Sequence, residues 1–157
     1  MKDLLLAIQS ALRTAPSLAY LHSVEILDDE VLIPEEPAFP MVGLLAGTIE
    51  YRSRPNKKED EDCVVIVVVY QSLVLEEMGA SIIGTSNLST EGKGTLDIGN
   101  EIRDVLNDAF YALTPPVHFA YRQRVDPPRT LWSPGEADNQ LYVTFQRNHY
   151  LYKRSTV

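Results

Sequence analysis

The chain has 157 residues and a mass of 17.6 kDa, with 45% hydrophobic and 23% charged residues, enough apolar material for one domain with its own core. That balance excludes a disordered chain, a collagen-like repeat and a coiled-coil rod. Fourteen basic against 22 acidic groups give a net charge of −8, and an acidic body repels a phosphate backbone, which argues against sequence-independent nucleic-acid binding as the main activity and leaves only the basic tail as a local exception.

Residues 2–13 place Leu5, Ile8 and Leu12 on one stripe, with Leu4 and Ala11 beside it, which predicts a helix. The apolar start is broken by Gln9, Ser10 and Arg13 before a signal-peptide core is reached, and no run of roughly 18 apolar residues occurs anywhere. The expectation is a chain without a membrane span that is made and kept in the cytoplasm. Ala15-Pro16 ends the helix. Tyr20 to Leu27 then alternates, predicting a short strand with Tyr20, His22, Val24 and Ile26 on one side.

From Asp28 to Pro40 the chain holds five carboxylates and three prolines, so 28–40 is read as a long polar loop. Met41 to Arg52 resumes an extended pattern with Met41, Leu45, Ile49 and Tyr51 on one face. Gly43 and Gly47 on that same face suggest a bulge or a close approach. Residues 53–62, rich in charge, read as a long hairpin tip before the strand Cys63 to Gln71, which is apolar on both faces and belongs in the middle of a covered sheet. Cys63, the single cysteine, opens that strand and reads as a buried structural thiol.

Residues 76–94 carry loop signals. The period of Ile98, Ile102, Val105, Leu106, Ala109 and Leu113 predicts a helix over 96–113, with Thr95 or Asp97 as its N-cap, stopped by Pro115-Pro116. Two closing strands are predicted, Val117 to Val125 and Gln140 to Tyr152, separated by a proline-marked loop at 126–139. The order helix, three strands, helix, two strands predicts an α+β single domain over 1–157: a largely antiparallel sheet of about five strands packed with two helices.

Chemistry-bearing patterns are sparse. His22, His118 and His149 lie far apart with no metal-ligand spacing, and no nucleophile elbow occurs. Glu91-Gly92-Lys93-Gly94-Thr95 departs from the phosphate-loop pattern because Gly94 separates Lys93 from Thr95. The carboxylate clusters lie in polar stretches, where general acid catalysis wants an apolar pocket. No catalytic residue, cofactor or metal is expected. Tyr142, Tyr150 and Tyr152 with Arg147, Lys153 and Arg154 gather late, a composition that suits stacking on single-stranded nucleic acid or a protein interface, and the net charge favours the interface. Charge is uneven: residues 1–118 hold 8 basic and 19 acidic groups, net −11, while 119–157 hold 6 basic and 3 acidic, net +3. Such asymmetry is one way to make a head-to-tail contact complementary.

Several segments in order carry a resemblance over the whole chain: the opening Asp3-Leu4-Leu5-Leu6-Ala7-Ile8 helix, the strand near Tyr20 and the valine-rich strand Val64 to Val69. They continue with Gly94-Thr95-Leu96-Asp97-Ile98 and the closing Val143-Thr144-Phe145-Gln146-Arg147. In that order the chain resembles the tail terminator, or tail completion, proteins of long-tailed bacteriophages. The resemblance implies a non-enzymatic virion protein, a homohexamer ring on the head-proximal end of the tail tube. Such a ring ends tube polymerisation and joins the tail to the head connector. The implied partners are further copies of itself, the tail tube protein and the head–tail connector, with DNA only passing through the lumen. Within this reading Lys57, Lys58, Glu59, Asp60, Glu61 and Asp62 are assigned to a lumen or tube-contacting tip, and Arg147 and Tyr150 to a protomer contact. Two other classes fit the same residues: a neck or adaptor protein without the ring, and a small hydrolase, which requires a cleft with two perturbed titratable groups.

Overall fold

The computed structural model describes residues 1–29, 38–53, 55, 59–72, 80–84, 93–107, 110–113, 118–125, 129–133 and 143–156. Helix α1 (Lys2–Thr14) is amphipathic and buries Leu4, Leu5, Ile8 and Leu12. A 3-10 turn at Pro16–Leu18 follows, and strand β1 (Ser23–Ile26) runs parallel to the start of β2 (Met41–Ser53). Parallel neighbours need a crossover of a dozen or so residues, and the Pro/Glu-rich stretch between β1 and β2 supplies that length. Its residues 30–37 lie outside the described residues.

Strand β3 (Glu59–Ser72) pairs antiparallel with β2 on one side and with β7 (Val143–Thr156) on the other. The one-turn helix α2 (Ala80–Ile83) and helix α3 (Thr95–Leu106) lie between them in sequence. Strands β4 (Phe110–Leu113), β5 (His118–Val125) and β6 (Arg129–Ser133) complete a seven-stranded sheet of order β1-β2-β3-β7-β5-β4, with β6 also on β7. The chain is thus α+β, a largely antiparallel sheet with its helices on one face.

The two faces of β3 explain its unbroken apolar run. Cys63, Val65, Val67 and Val69 face α1 and α3, in a core completed by Val42, Leu44, Ile98, Ile102, Leu106, Tyr150 and Tyr152. Val68 and Tyr70 join Met41 and Leu45 in a smaller cluster on the opposite face, with Leu27, Phe39 and Ile66 against it. Cys63 is fully buried, as its setting implies.

Several boundaries differ from the sequence expectation. β1 begins at Ser23, because Ala19 and Tyr20 form a turn after the 3-10 segment. Ile49 does not share the face of Met41 and Leu45: a register shift between Ala46 and Ile49 flips the alternation and turns Ile49 onto the helix side. Both glycines do sit at close approaches. A Cβ on Gly47 would lie 2.7 Å from the Val64 carbonyl oxygen, and one on Gly43 would lie 2.6 Å from Leu27.

The charged segment Glu59 to Asp62 is not a hairpin tip but the first part of β3, opposite Ser53 to Glu50. Cross-strand pairing holds it extended. Helix α3 ends at Leu106 and not Leu113, because Phe110–Leu113 pairs with β5 as β4; an apolar run of that length satisfies either period. Its N-cap is Gly94 without a side-chain cap, in place of Thr95 or Asp97. Inside the expected 126–139 loop, Arg129–Ser133 forms β6 against Val143–Arg147, and the flanking residues 126–128 and 134–139 lie outside the described residues.

Candidate assembly surface

Strands of 13 and 14 residues at ~3.3 Å per residue run to about 45 Å, whereas helices of 13 and 12 residues reach only about 20 Å. The helices therefore cover only part of the sheet, and β2, β3 and β7 run on together beyond them. That extension is stitched by charge. Arg52 Nη2 lies 2.8 Å from Asp62 Oδ2, and Lys153 Nζ lies 3.6 Å from Asp60 Oδ2. Register places Asp60 between Arg52 and Ser155, and Asp62 between Glu50 and Lys153, so each ion pair is a diagonal neighbour on the face away from the helices. Asp60 and Asp62 are 5% and 8% exposed despite their charge.

The residues assigned to the tip and to the protomer contact therefore separate. Asp60 and Asp62 are buried in the extension by β2 and β7, while the Glu61 side chain lies on the helix side, 3.9 Å from the Cys63 sulfur. Glu59 is placed by its backbone, opposite Ser53, and Lys57 and Lys58 lie outside the described residues. Arg147 is half-buried on the face away from the helices, in register with Val68.

Tyr150 is fully buried among Val65, Val67 and the helices, as is Tyr152, so within one chain neither offers a contact surface. The aromatic run beside basic residues gave no sign of which face is wet. What replaces it on the surface is Tyr51, 65% exposed near the end of β2, a residue that the alternation put on one face with Met41 and Leu45.

Charge is divided across the sheet. Strands β1, β2 and β3 hold six acidic residues (Glu25, Glu50, Glu59, Asp60, Glu61, Asp62) and one basic residue (Arg52), net −5. Strands β4 to β7 hold six basic residues (Arg122, Arg124, Arg129, Arg147, Lys153, Arg154) and no acidic one, net +6. In the order β1-β2-β3-β7-β5-β4 these sums make one half of the sheet acidic and the other basic.

A second polar group sits at the opposite end of the core. Tyr20 donates its hydroxyl proton to Glu101 Oε2, Lys93 donates to Glu101 Oε1, and the Lys93 ammonium stands 4.4 Å from the centre of the Tyr20 ring. Gln71 Nε2 donates to the Lys93 carbonyl at 2.7 Å. Together they tie the turn after α1, the end of β3 and the lead-in to α3. Burial, and then the Glu101 carboxylate, push the Tyr20 phenol far above its ordinary pKa, so it is a donor and not a base.

A shallow hollow bounded by Leu12, Leu18, His22 and Glu25 lies beside β1. Among the described residues no group of three or more His, Cys, Asp or Glu side chains could hold a metal, and no helix is long and apolar enough to cross a membrane. His22 precedes β1, His118 opens β5 and His149 lies in β7.

No protein-family model and no curated protein matches the chain. Among solved structures it is similar to a chain in the virion of a native gene transfer agent particle, at 14% identity and a TM-score of 0.49, over 99% of this chain and 95% of that one.

Proposed function

We propose that the chain is a structural virion protein that self-assembles into a ring, a hexamer by the resemblance, and caps the head-proximal end of a tail tube. The observation that carries this reading is the stitched extension of β2, β3 and β7, strands a little over twice the length of the helices that pack on them. A sheet this long with paired charges at its far end is a rigid arm, suited to contacts with neighbouring chains. The order helix, three strands, helix, closing strands agrees with the order that the terminator resemblance implies. The division of charge across the sheet supports self-association in a head-to-tail sense. In this reading the acidic excess of the whole chain keeps DNA moving through the lumen unbound. No step of chemistry is assigned to any residue.

The test is tube growth. Tail tube protein polymerised with the chain present is expected to give short tubes bearing a ring at one end by negative-stain electron microscopy. Tubes of unchanged length with bare ends would overturn the capping role. A chain that bound only an isolated connector, and never a tube, would favour the adaptor reading instead.

A further inference from the structure

Both borders of the sheet are stepped. On one side β1 (Ser23–Ile26) covers β2 only over 41–44, and among the described residues no strand pairs with 46–53 there. Residues 50–53 are all exposed, Tyr51 at 65%. On the other side β6 (Arg129–Ser133) and β5 both pair with β7, at 143–147 and 150–156, and β4 (Phe110–Leu113) stands one strand further out on 118–121 of β5. The open edges are therefore the outer sides of β1, β4 and β6, with 46–53 of β2 and 122–125 of β5. Unpaired edges are templates for another strand. The β1 edge is blunted: it is four residues long, and its Val24 carbonyl accepts from Gln9 Nε2 at 2.9 Å and from Arg13 Nη2 at 2.7 Å. Helix α1 also lies near β4, on the helix-bearing face.

The step on one border fits the step on the other. Register runs level from Glu50 through Asp62, Lys153 and Tyr121 to Phe110, and from Arg52 through Asp60, Ser155 and Phe119 to Ala112. β4 thus projects at the height where β2 lacks a neighbour. β6 stands at the height of β1, with Arg129 level with Glu25. Two copies set side by side without a shift place β1 of one and β4 of the other in a single column, at the heights of 41–44 and 50–53, between β2 and the neighbour's β5 and β6. The two strands fill different parts of that column and do not overlap. Four antiparallel pairings separate β2 from β4, so both run in the same direction. Rotation about an axis along the strands keeps that direction, which makes the new pair parallel. Contacts without a shift close into a ring, whereas a shift builds a helix. The acidic half of the sheet, net −5, then meets the basic half, net +6, while a β2-to-β2 or β4-to-β4 contact joins like halves.

We infer that β4 of one copy adds in parallel to residues 50–53 of β2 in the next copy, filling the notch below β1 and continuing one sheet from protomer to protomer. The contact rests on the self-assembly in the proposed function and names the strands that carry it.

The experiment is a crosslinking test at two level positions, Tyr51 on β2 and Tyr111 on β4, which register joins through Glu61, Arg154 and Ala120. Cys63, the chain's own cysteine, is fully buried, so introduced thiols are the ones that a short bismaleimide meets. Tyr51→Cys and Tyr111→Cys are made in separate chains, one of them tagged, and each is checked for native circular dichroism and wild-type mass. An equimolar mixture is expected to give a crosslinked pair holding one chain of each kind, and each variant alone to give almost none. A mixture that crosslinks no more than the single variants, or Tyr51→Cys chains that join to each other as readily, overturns the contact. If either variant fails to fold or assemble, hydrogen exchange of the wild-type chain decides: protection at 50–53 and 110–113 must rise together with mass, and its absence sinks the contact. A wild type that is single-chain at every concentration overturns the contact together with self-assembly. Tube capping is read separately from tube length, so a chain that assembles and caps tubes but fails the crosslinking test loses only this contact.

Discussion

Tyr20 shows how one side chain sets a measurable property of the whole chain. Its phenol is held neutral by burial and by the Glu101 carboxylate, and burial, with Asp29 nearby, does the same for Tyr70. Both folded pKa values lie above the unfolded value near 10, so the stability from these groups is fully present below about pH 10 and is lost as pH climbs past it. The unfolding free energy is therefore expected to fall with rising pH in the alkaline range. Tyr20→Phe should flatten that fall and remove about 1 kcal/mol at neutral pH, read by urea unfolding across a pH series.

Packing at single residues gives a second expectation. A Cβ on Gly94 would run into the Ile82 carbonyl and the Gly84 backbone nitrogen, where nothing flexible can yield, so Gly94→Ala should cost about 2 kcal/mol. At Gly99 the nearest atoms to an added Cβ belong to the Gln146 side chain, which can yield, so Gly99→Ala, which also gains helix propensity, should cost clearly less in the same urea assay. Tyr150→Ala should cost ~3–5 kcal/mol, as a core residue does. Cys63 was legible as a core residue because its neighbours are apolar on both faces. Tyr150 was not, because alternation says which residues share a face and never which face is wet.

At the level of elements, α1, the β2–β3 pair, the start of α3 and the last strand followed from periodicity and punctuation. The misses each have a physical cause. Tertiary pairing claimed Phe110–Leu113 for the sheet although its spacing continues the helix of Ile98 and Ile102. A bulge between Ala46 and Ile49 reversed the facing of everything after it, which no count of alternating residues reveals. Glu59 to Asp62 had the composition of a loop, yet pairing with β2 and β7 makes it a strand, with Arg52 and Lys153 on those flanking strands offsetting its charge. One lock between elements lends itself to test: Gln9 and Arg13 of α1 both donate to the Val24 carbonyl of β1. Gln9→Ala is expected to lower the melting temperature by roughly 2–4 °C, the shift for about 1 kcal/mol in a chain of this size, measured by calorimetry.

At the scale of the whole molecule, the division of charge between 1–118 and 119–157 was visible in the sequence, yet its meaning was not. Only the strand order turns it into an acidic and a basic half of one sheet, with β3 and β7 side by side at the join. Opposite halves meeting between copies make self-association electrostatic. It should weaken between roughly 0.05 M and 0.5 M salt as the screening length drops from about 14 Å to about 4 Å. The stitched extension is shielded differently, because Asp60 and Asp62 are buried, and the fold itself should hold over the same range by circular dichroism. The most direct measurement is the native mass of the chain by light scattering over a concentration series at those two salt strengths. A mass that rises with concentration to a hexamer at low salt and falls back at high salt is the predicted result. A single-chain mass throughout would contradict self-assembly by this chain.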